Sequence, residues 1–127
     1  MLGRGRIGTI RRMSADPDFA AYCAELLASA GGVRSKRMFG GYGFYVDELF
    51  VAIIVGDALY FKADEQSQLL FLDAGSSRFE YTRQGKQQGM GFWTAPAEAM
   101  DSPDLMRPWV QLAMDAALRS RAGPRRQ

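Results

Sequence analysis

The stretch KRMFGGYGFYVDELFVAIIVGDALYFK, Lys36 to Lys62, decides the fold, because its apolar runs are separated only by turn-length breaks. Asp47-Glu48, between Tyr45-Val46 and Leu49-Phe50, has the length of a tight hairpin. Gly56-Asp57, between Ile54 and Ala58, supplies residue types that tolerate positive φ. The spacing predicts a three-stranded antiparallel meander in which each strand pairs with its neighbour in sequence. Gly40-Gly41 interrupts the first strand. Two glycines there predict a bend that curls the sheet over a helix, and the same bend could offer free backbone donors to a partner. Beyond it, Tyr42, Phe44 and Val46 share one face. The next strand alternates Phe50, Ala52 and Ile54 against Leu49, Val51 and Ile53. Being apolar on both sides, it is expected to be central and at least partly covered on both faces, by helices or by another subunit.

The flanking segments read as helices and a second hairpin. Asp16-Pro17 is a capping carboxylate followed by a proline at a position with no intrahelical N–H bond to lose. Phe19, Tyr22, Cys23, Leu26, Leu27 and Ala30 then form one apolar stripe, stopped by Gly31-Gly32. Val33 to Phe39 leads into the meander with Arg34, Lys36 and Arg37 clustered, the residue types that guard a sheet edge or rim a partner site. After the meander, Asp64-Glu65 caps a short helix carrying Leu69, Leu70 and Leu72. Phe79 to Thr82 reads as a half-buried strand, Arg83 to Gly89 as a polar hairpin loop, and Met90 to Ala95 as the returning strand. Ser102-Pro103-Asp104 opens a last helix with Leu105, Trp109, Leu112 and Ala116 at helical spacing. Pro108 predicts either a bend or a start at Arg107.

The formal charge of +2 conceals an uneven distribution. Arg4, Arg6, Arg11 and Arg12 precede Met13, and Arg125 and Arg126 follow Gly123-Pro124. Ten basic residues therefore face 14 acids in between, and residues 13–122 carry −4. An acidic body opposes a long phosphate track. Phe44, Tyr60 and Tyr81 accordingly read as core residues rather than as a base-stacking platform, and nucleic-acid binding through the basic tails stands as the alternative. Residues 1–12 read as a disordered leader, as residues upstream of a start at Met13, or as a basic arm. Their Gly3-x-Gly5-x-x-Gly8 spacing lacks the preceding strand that a dinucleotide site requires. Residues 13–122 are expected to form one domain and 123–127 a frayed basic tail.

The chain has no histidine and a single cysteine, Cys23. That excludes an internal disulfide, a histidine triad, a histidine-ligated metal and a Cys-His dyad. Cys23 on a helix's buried stripe reads as a small core residue. Asp47, Glu48 and Asp57 belong to turns, and Asp64 and Glu65 to a helix start, so no catalytic residue, cofactor or metal site is read. No apolar run reaches the ~18 residues of a membrane span, and the arginine-rich start lacks the apolar core of a secretory signal. A cytoplasmic location follows as the expectation.

The predicted order, α-β(3)-α-β(2)-α, places the chain in the α+β class. Its K-R-M-F-G-G-Y-G-F-Y-V from Lys36, A-x-x-x-G-D-A-L-Y-F-K from Ala52, F-x-Y at Phe79 to Tyr81, and Leu105 with Trp109 resemble the N-terminal domain of the TfoX/Sxy family of bacterial competence regulators. The resemblance spans about residues 18–118. It implies a two-layer α/β domain laid out like type III secretion chaperones, which commonly dimerise. It also implies a non-enzymatic role in transcriptional regulation of DNA-uptake genes through contacts with a protein partner. Longer relatives add a helical C-terminal domain, and this chain is expected to be a stand-alone N-terminal module, with or without the regulatory role. Lys36, Arg37, Gly40, Gly41 and Tyr42 at the bend, with Lys62 at the end of the meander, are the candidate interaction residues.

Overall fold

The computed structural model describes residues 16–38, 40–83 and 86–122 of the 127-residue chain. The expectations for residues 1–12 and 123–127 lie outside these. Helix α1 spans Pro17–Leu27, strands β1 to β4 span Val33–Met38, Gly41–Val46, Leu49–Val55 and Ala58–Lys62, and helix α2 spans Gln68–Asp73. Strands β5 (Arg78–Arg83) and β6 (Lys86–Thr94), a 3-10 turn at Ala97–Asp101 and helix α3 (Pro103–Ala122) complete the order. The class is α+β, and helices and strand groups alternate as the sequence predicts.

The sheet has six strands in the order β1-β2-β3-β4-β6-β5, with every neighbouring pair antiparallel. One strand more than expected comes from the glycine pair. The chain does not bend at Gly40-Gly41 but reverses, so that Met38 pairs with Gly41 and Val33 with Val46. Gly40 takes a φ of 77°, which a residue with a side chain rarely adopts. Gly41 is excluded from carrying a Cβ for another reason. The atom would fall well inside 3.0 Å of the Ile54 carbonyl oxygen and 3.1 Å from the carbonyl carbon.

The second hairpin, Asp47-Glu48, is as short as predicted, both residues having positive φ (50° and 67°). The Asp47 N–H donates to the Gly32 carbonyl over 2.8 Å, and the Gly32 N–H donates to the Asp47 carboxylate over 2.9 Å. These bonds fasten the turn to the loop that follows α1.

A β-bulge overturns the expected alternation in β3. Phe44 pairs with Ala52 but Tyr45 with Phe50, which leaves Val51 as the extra residue. A bulge turns two successive side chains toward one face. Leu49, Val51, Ala52 and Ile54 all lie in the core, whereas Phe50 and Ile53 stay half-buried on the opposite face. The bulge thus gives the core four residues of this strand and leaves two, Phe50 and Ile53, for the opposite face.

The core lies between one sheet face and the helices. Helix α1 contributes Ala20, Cys23, Leu26 and Leu27, and its Asp16 cap accepts from the Asp18 N–H at 2.9 Å, as the Asp-Pro start predicts. Helix α3 buries Met106, Val110, Ala113 and Ala117, at spacings of four, three and four. This stripe is displaced from the predicted one: Leu105 is exposed and Trp109 and Leu112 are half-buried, while the predicted Ala116 is buried. Pro108 lies inside α3, which runs from Pro103 without restarting at Arg107, with Ser102 Oγ accepting from the Leu105 N–H.

In α2 the predicted Leu69, Leu70 and Leu72 are exposed, and the anchor is Phe71, packed between Phe61 and Trp109. The β5–β6 hairpin is longer than read, since β6 already begins at Lys86. It joins the meander through β6 on β4, a pairing between segments distant in sequence.

Candidate functional site

Cross-strand partners project from the same face, so the register sorts the predicted contact residues. Arg37 pairs with Tyr42, and Tyr42 with Ile54, which places both on the helix-side face. The Arg37 guanidinium lies 5.5 Å from the Tyr42 ring. Lys36, opposite Gly43, belongs to the outer face and is exposed. Gly40 is at the exposed reversal, and Gly41 is buried beside β3. These five residues gather at one end of the β1–β2 hairpin. Lys62 does not join them: it lies two strands beyond β2, at the end of β4 that approaches Phe50 and Phe92.

The outer face carries a feature that sequence reading missed. An aromatic row crosses the sheet from Tyr45 through Phe50 to Phe92, with ring centroids 5.2 Å and 5.9 Å apart. A cation closes each end. The Arg34 guanidinium sits 4.3 Å from the Tyr45 ring, and the Lys62 ammonium 5.7 Å from that of Phe92. Cations over aromatic faces are attracted by the ring quadrupole, which holds these otherwise flexible side chains on the face. Beside the row, Tyr60 packs edge-on against Phe79 at 5.0 Å. Burial, and then the nearby Asp57 carboxylate, push the Tyr60 phenol upward, so it remains protonated at neutral pH. The end of α3 reaches the rim of this face, where Ala117, Ser120 and Arg121 line a shallow cavity with Phe50 and Lys62, and Phe92 is buried. The row arises from the bulge, which turns Phe50 outward, and from the β4–β6 pairing, which brings Phe92 beside Lys62. Local alternation signals neither. Phe44, by contrast, is fully buried on the inner face.

At the sheet edge, Arg34 also reaches Glu48, with Nη2 to Oε1 at 2.9 Å and Nε to Oε2 at 3.3 Å. The hydrogen bond from Arg34, and then its charge, hold the Glu48 carboxyl below its usual range. Both side chains are exposed, so solvent screens this pair. Lys36 and Arg37 continue the basic character along β1, whose residues from Arg34 to Arg37 are all exposed.

An open pocket of about 420 Å³ lies between the start of α2 and the end of α3, lined by Lys62, Asp64, Gln66, Arg119 and Ser120. Two of its charged groups, Asp64 and Arg119, engage each other. Arg119 grips Asp64 with Nε to Oδ2 at 2.6 Å and Nη2 to Oδ1 at 2.9 Å, and the Gln66 and Ser67 N–H groups donate to Oδ1. The Arg119 hydrogen bond pulls the Asp64 pKa down against the opposing effect of burial. This is a forked ion pair tying the loop between β4 and α2 to α3, not a free acid or base. Cys23 is wholly buried, and burial pushes its thiol up to about 12, far from thiolate chemistry. Among the described residues no cluster of three or more histidine, cysteine or acidic side chains is placed to hold a metal ion, and no helix is long and apolar enough to cross a membrane.

A search of curated proteins returns no match for this chain. The family model of the TfoX N-terminal domain matches residues 25–117, from the last turn of α1 through the whole sheet to Ala117, the last buried residue of α3 among those described. The match covers well over half of the chain and contains both the Gly-Gly reversal and the aromatic row, and the protein belongs to the TfoX N-terminal domain family.

Proposed function

We propose that this chain is a non-enzymatic, cytoplasmic interaction module that acts in transcriptional regulation of DNA-uptake genes through contacts with a protein of the transcription apparatus. Family membership supports the regulatory class. The observation that carries the contact role is the sheet's outer face, where a row running from the half-buried Tyr45 and Phe50 to the buried Phe92 is bounded by Arg34 and Lys62. Aromatic and arginine side chains are the types enriched in protein-contact surfaces. Lys36, Arg37, Gly40, Gly41 and Tyr42 belong to this proposal as contacts at the neighbouring hairpin, and Lys62 as part of the row. Residues 13–122 are its working domain, alone or as a homodimer, which light scattering on the purified chain distinguishes.

The test is a reporter for a DNA-uptake operon in cells deleted for this gene, complemented with wild type or with a Phe50→Ser/Lys62→Glu variant shown to be folded. Loss of induction on deletion, restored by wild type but not by the variant, is the expected result. Unchanged induction on deletion overturns the regulatory reading. Direct nucleic-acid binding is the second reading. The cations on the aromatic row favour it and the −4 charge of residues 13–122 opposes it. A salt titration of nucleic-acid affinity separates the two, because phosphate-dominated binding weakens steeply as salt rises.

A further inference from the structure

We infer that β1 is the docking edge for an acidic, extended segment of a partner protein, which adds to the sheet as a further strand beside Val33–Met38. In an antiparallel ladder every second residue turns its N–H and C=O away from the paired neighbour. Strand β1 is the first in the sheet order, and among the described residues no strand pairs with its far side. Its outward backbone groups are thus a ready template for an incoming strand.

The side chains define which strand fits. Arg34, Ser35, Lys36 and Arg37 are all exposed, with Arg34 and Lys36 on the outer face and Arg37 on the other. An added strand with acidic residues at alternate positions brings its carboxylates beside Arg34 and Lys36. A carboxylate already occupies this environment: Glu48 holds the Arg34 guanidinium at 2.9 Å while remaining exposed, an intramolecular example of the contact and one that a partner's acid can displace.

Charge also rejects the competing occupants. A second copy pairing edge to edge would set Arg34, Lys36 and Arg37 against themselves, a like-charge arrangement that destabilises cross-strand pairs. The chain's own residues 1–12, with four arginines and no acid, carry the same sign as the edge. A nucleic-acid strand offers the right charge but cannot complete the backbone ladder.

The proposal rests on the protein-contact reading above, and the two fail separately. The probe is a fluorescein-labelled (Glu-Val)4 peptide, read by fluorescence anisotropy on the full chain between about 0.05 and 0.5 M salt. Two further probes carry N-methyl groups on all the glutamates or on all the valines. In an extended strand these two sets of N–H groups point to opposite edges. Strand addition predicts that one methylated probe fails while the other still binds. It also predicts that a Lys36→Glu/Arg37→Glu variant with wild-type circular dichroism and urea midpoint binds about tenfold or more weakly. Equal behaviour of the two methylated probes overturns strand addition. So does absence of binding at low salt, tighter binding of oligo(dT) lost in the same variant, or concentration-dependent dimerisation abolished by it. If no peptide binds while the operon reporter still requires the protein, this inference falls and the regulatory reading stands. If the reporter ignores deletion while the probes behave as predicted, the reverse holds.

Discussion

Replacing Gly41 with alanine tests the chain reversal most directly, because the obstruction is backbone and cannot rotate away. The new Cβ falls well inside 3.0 Å of the Ile54 carbonyl oxygen, and Ile54 is pinned on both sides, paired with Tyr42 on β2 and Leu59 on β4. Its side chain is 1% exposed in the core, so β3 cannot retreat without opening the packing beneath it. Relief requires β2 and β3 to part locally. Overpacking strain costs about 1–3 kcal/mol, here at the upper end, and a lost ladder hydrogen bond costs about 1 kcal/mol. Reduced freedom of the unfolded chain returns about 0.5 kcal/mol. The net expectation is a loss of about 3 kcal/mol, or roughly 10 °C in Tm for a domain of this size. Gly43, two residues on, is the internal control. Its Cβ would meet Met38 Cε at 2.5 Å and Sδ at 2.9 Å, the end of a flexible side chain, and Phe50 Cε1 at 3.0 Å. Gly43→Ala is therefore expected to cost less than about 1 kcal/mol. Urea unfolding followed by the fluorescence of Trp93 and Trp109 measures both variants. A Gly41→Ala midpoint within error of wild type, or a larger loss for Gly43→Ala, would refute the assignment of the reversal.

Three further substitutions or probes test other parts of the structure. Pro108→Ala restores a helical N–H at an exposed site inside α3 and should stabilise the protein by about 1–3 kcal/mol; a lowered urea midpoint would show that the ring contributes packing not evident here. Asp64→Asn removes the forked bond to Arg119, and with both groups about one-third exposed the loss at pH 7 should be about 1 kcal/mol. Since the folded Asp64 pKa is depressed, its stabilisation is present above the unfolded value of about 4 and vanishes as pH falls through the lower folded value; an unchanged difference from wild type between pH 6 and about 2 would exclude this linkage. Cys23, buried with its thiol near 12, should react with an aromatic disulfide reagent at pH 8 only as fast as the domain opens, so a rate independent of urea below the transition and near that of a free thiol would disprove its burial.

Much of this fold is written in short-range features. The Asp16-Pro17 start, the Asp47-Glu48 and Gly56-Asp57 turns, the Ser102 cap and the pairing of each meander strand with its neighbour depend on residues a few positions apart, where steric and capping preferences act directly. So does the apolar stripe of α1 around Cys23, Leu26 and Leu27. Family membership too was legible, from the Met-Phe-Gly-Gly and Leu-Tyr-Phe-Lys stretches.

Other features depend on contacts that local spacing does not encode. A bulge is settled between two strands, and it sent Val51 inward and Phe50 outward against the alternation of β3. The choice of Phe71 over its neighbouring leucines, and of Met106 over Leu105, follows from what stands opposite: Phe61 and Trp109 for the former, the sheet and α1 for the latter. The predicted contact residues around Gly40-Gly41 are neighbours in sequence and stay together, whereas Lys62 joins the aromatic row because β4 pairs with β6. By itself, then, the sequence determined the order in which helices and strand groups alternate, the short turns and the absence of histidine chemistry, while the reversal at Gly40-Gly41 that adds a strand emerged only in the structure. The tertiary structure decided which face each apolar residue occupies and which cations meet which rings, because register across paired strands depends on both strands at once.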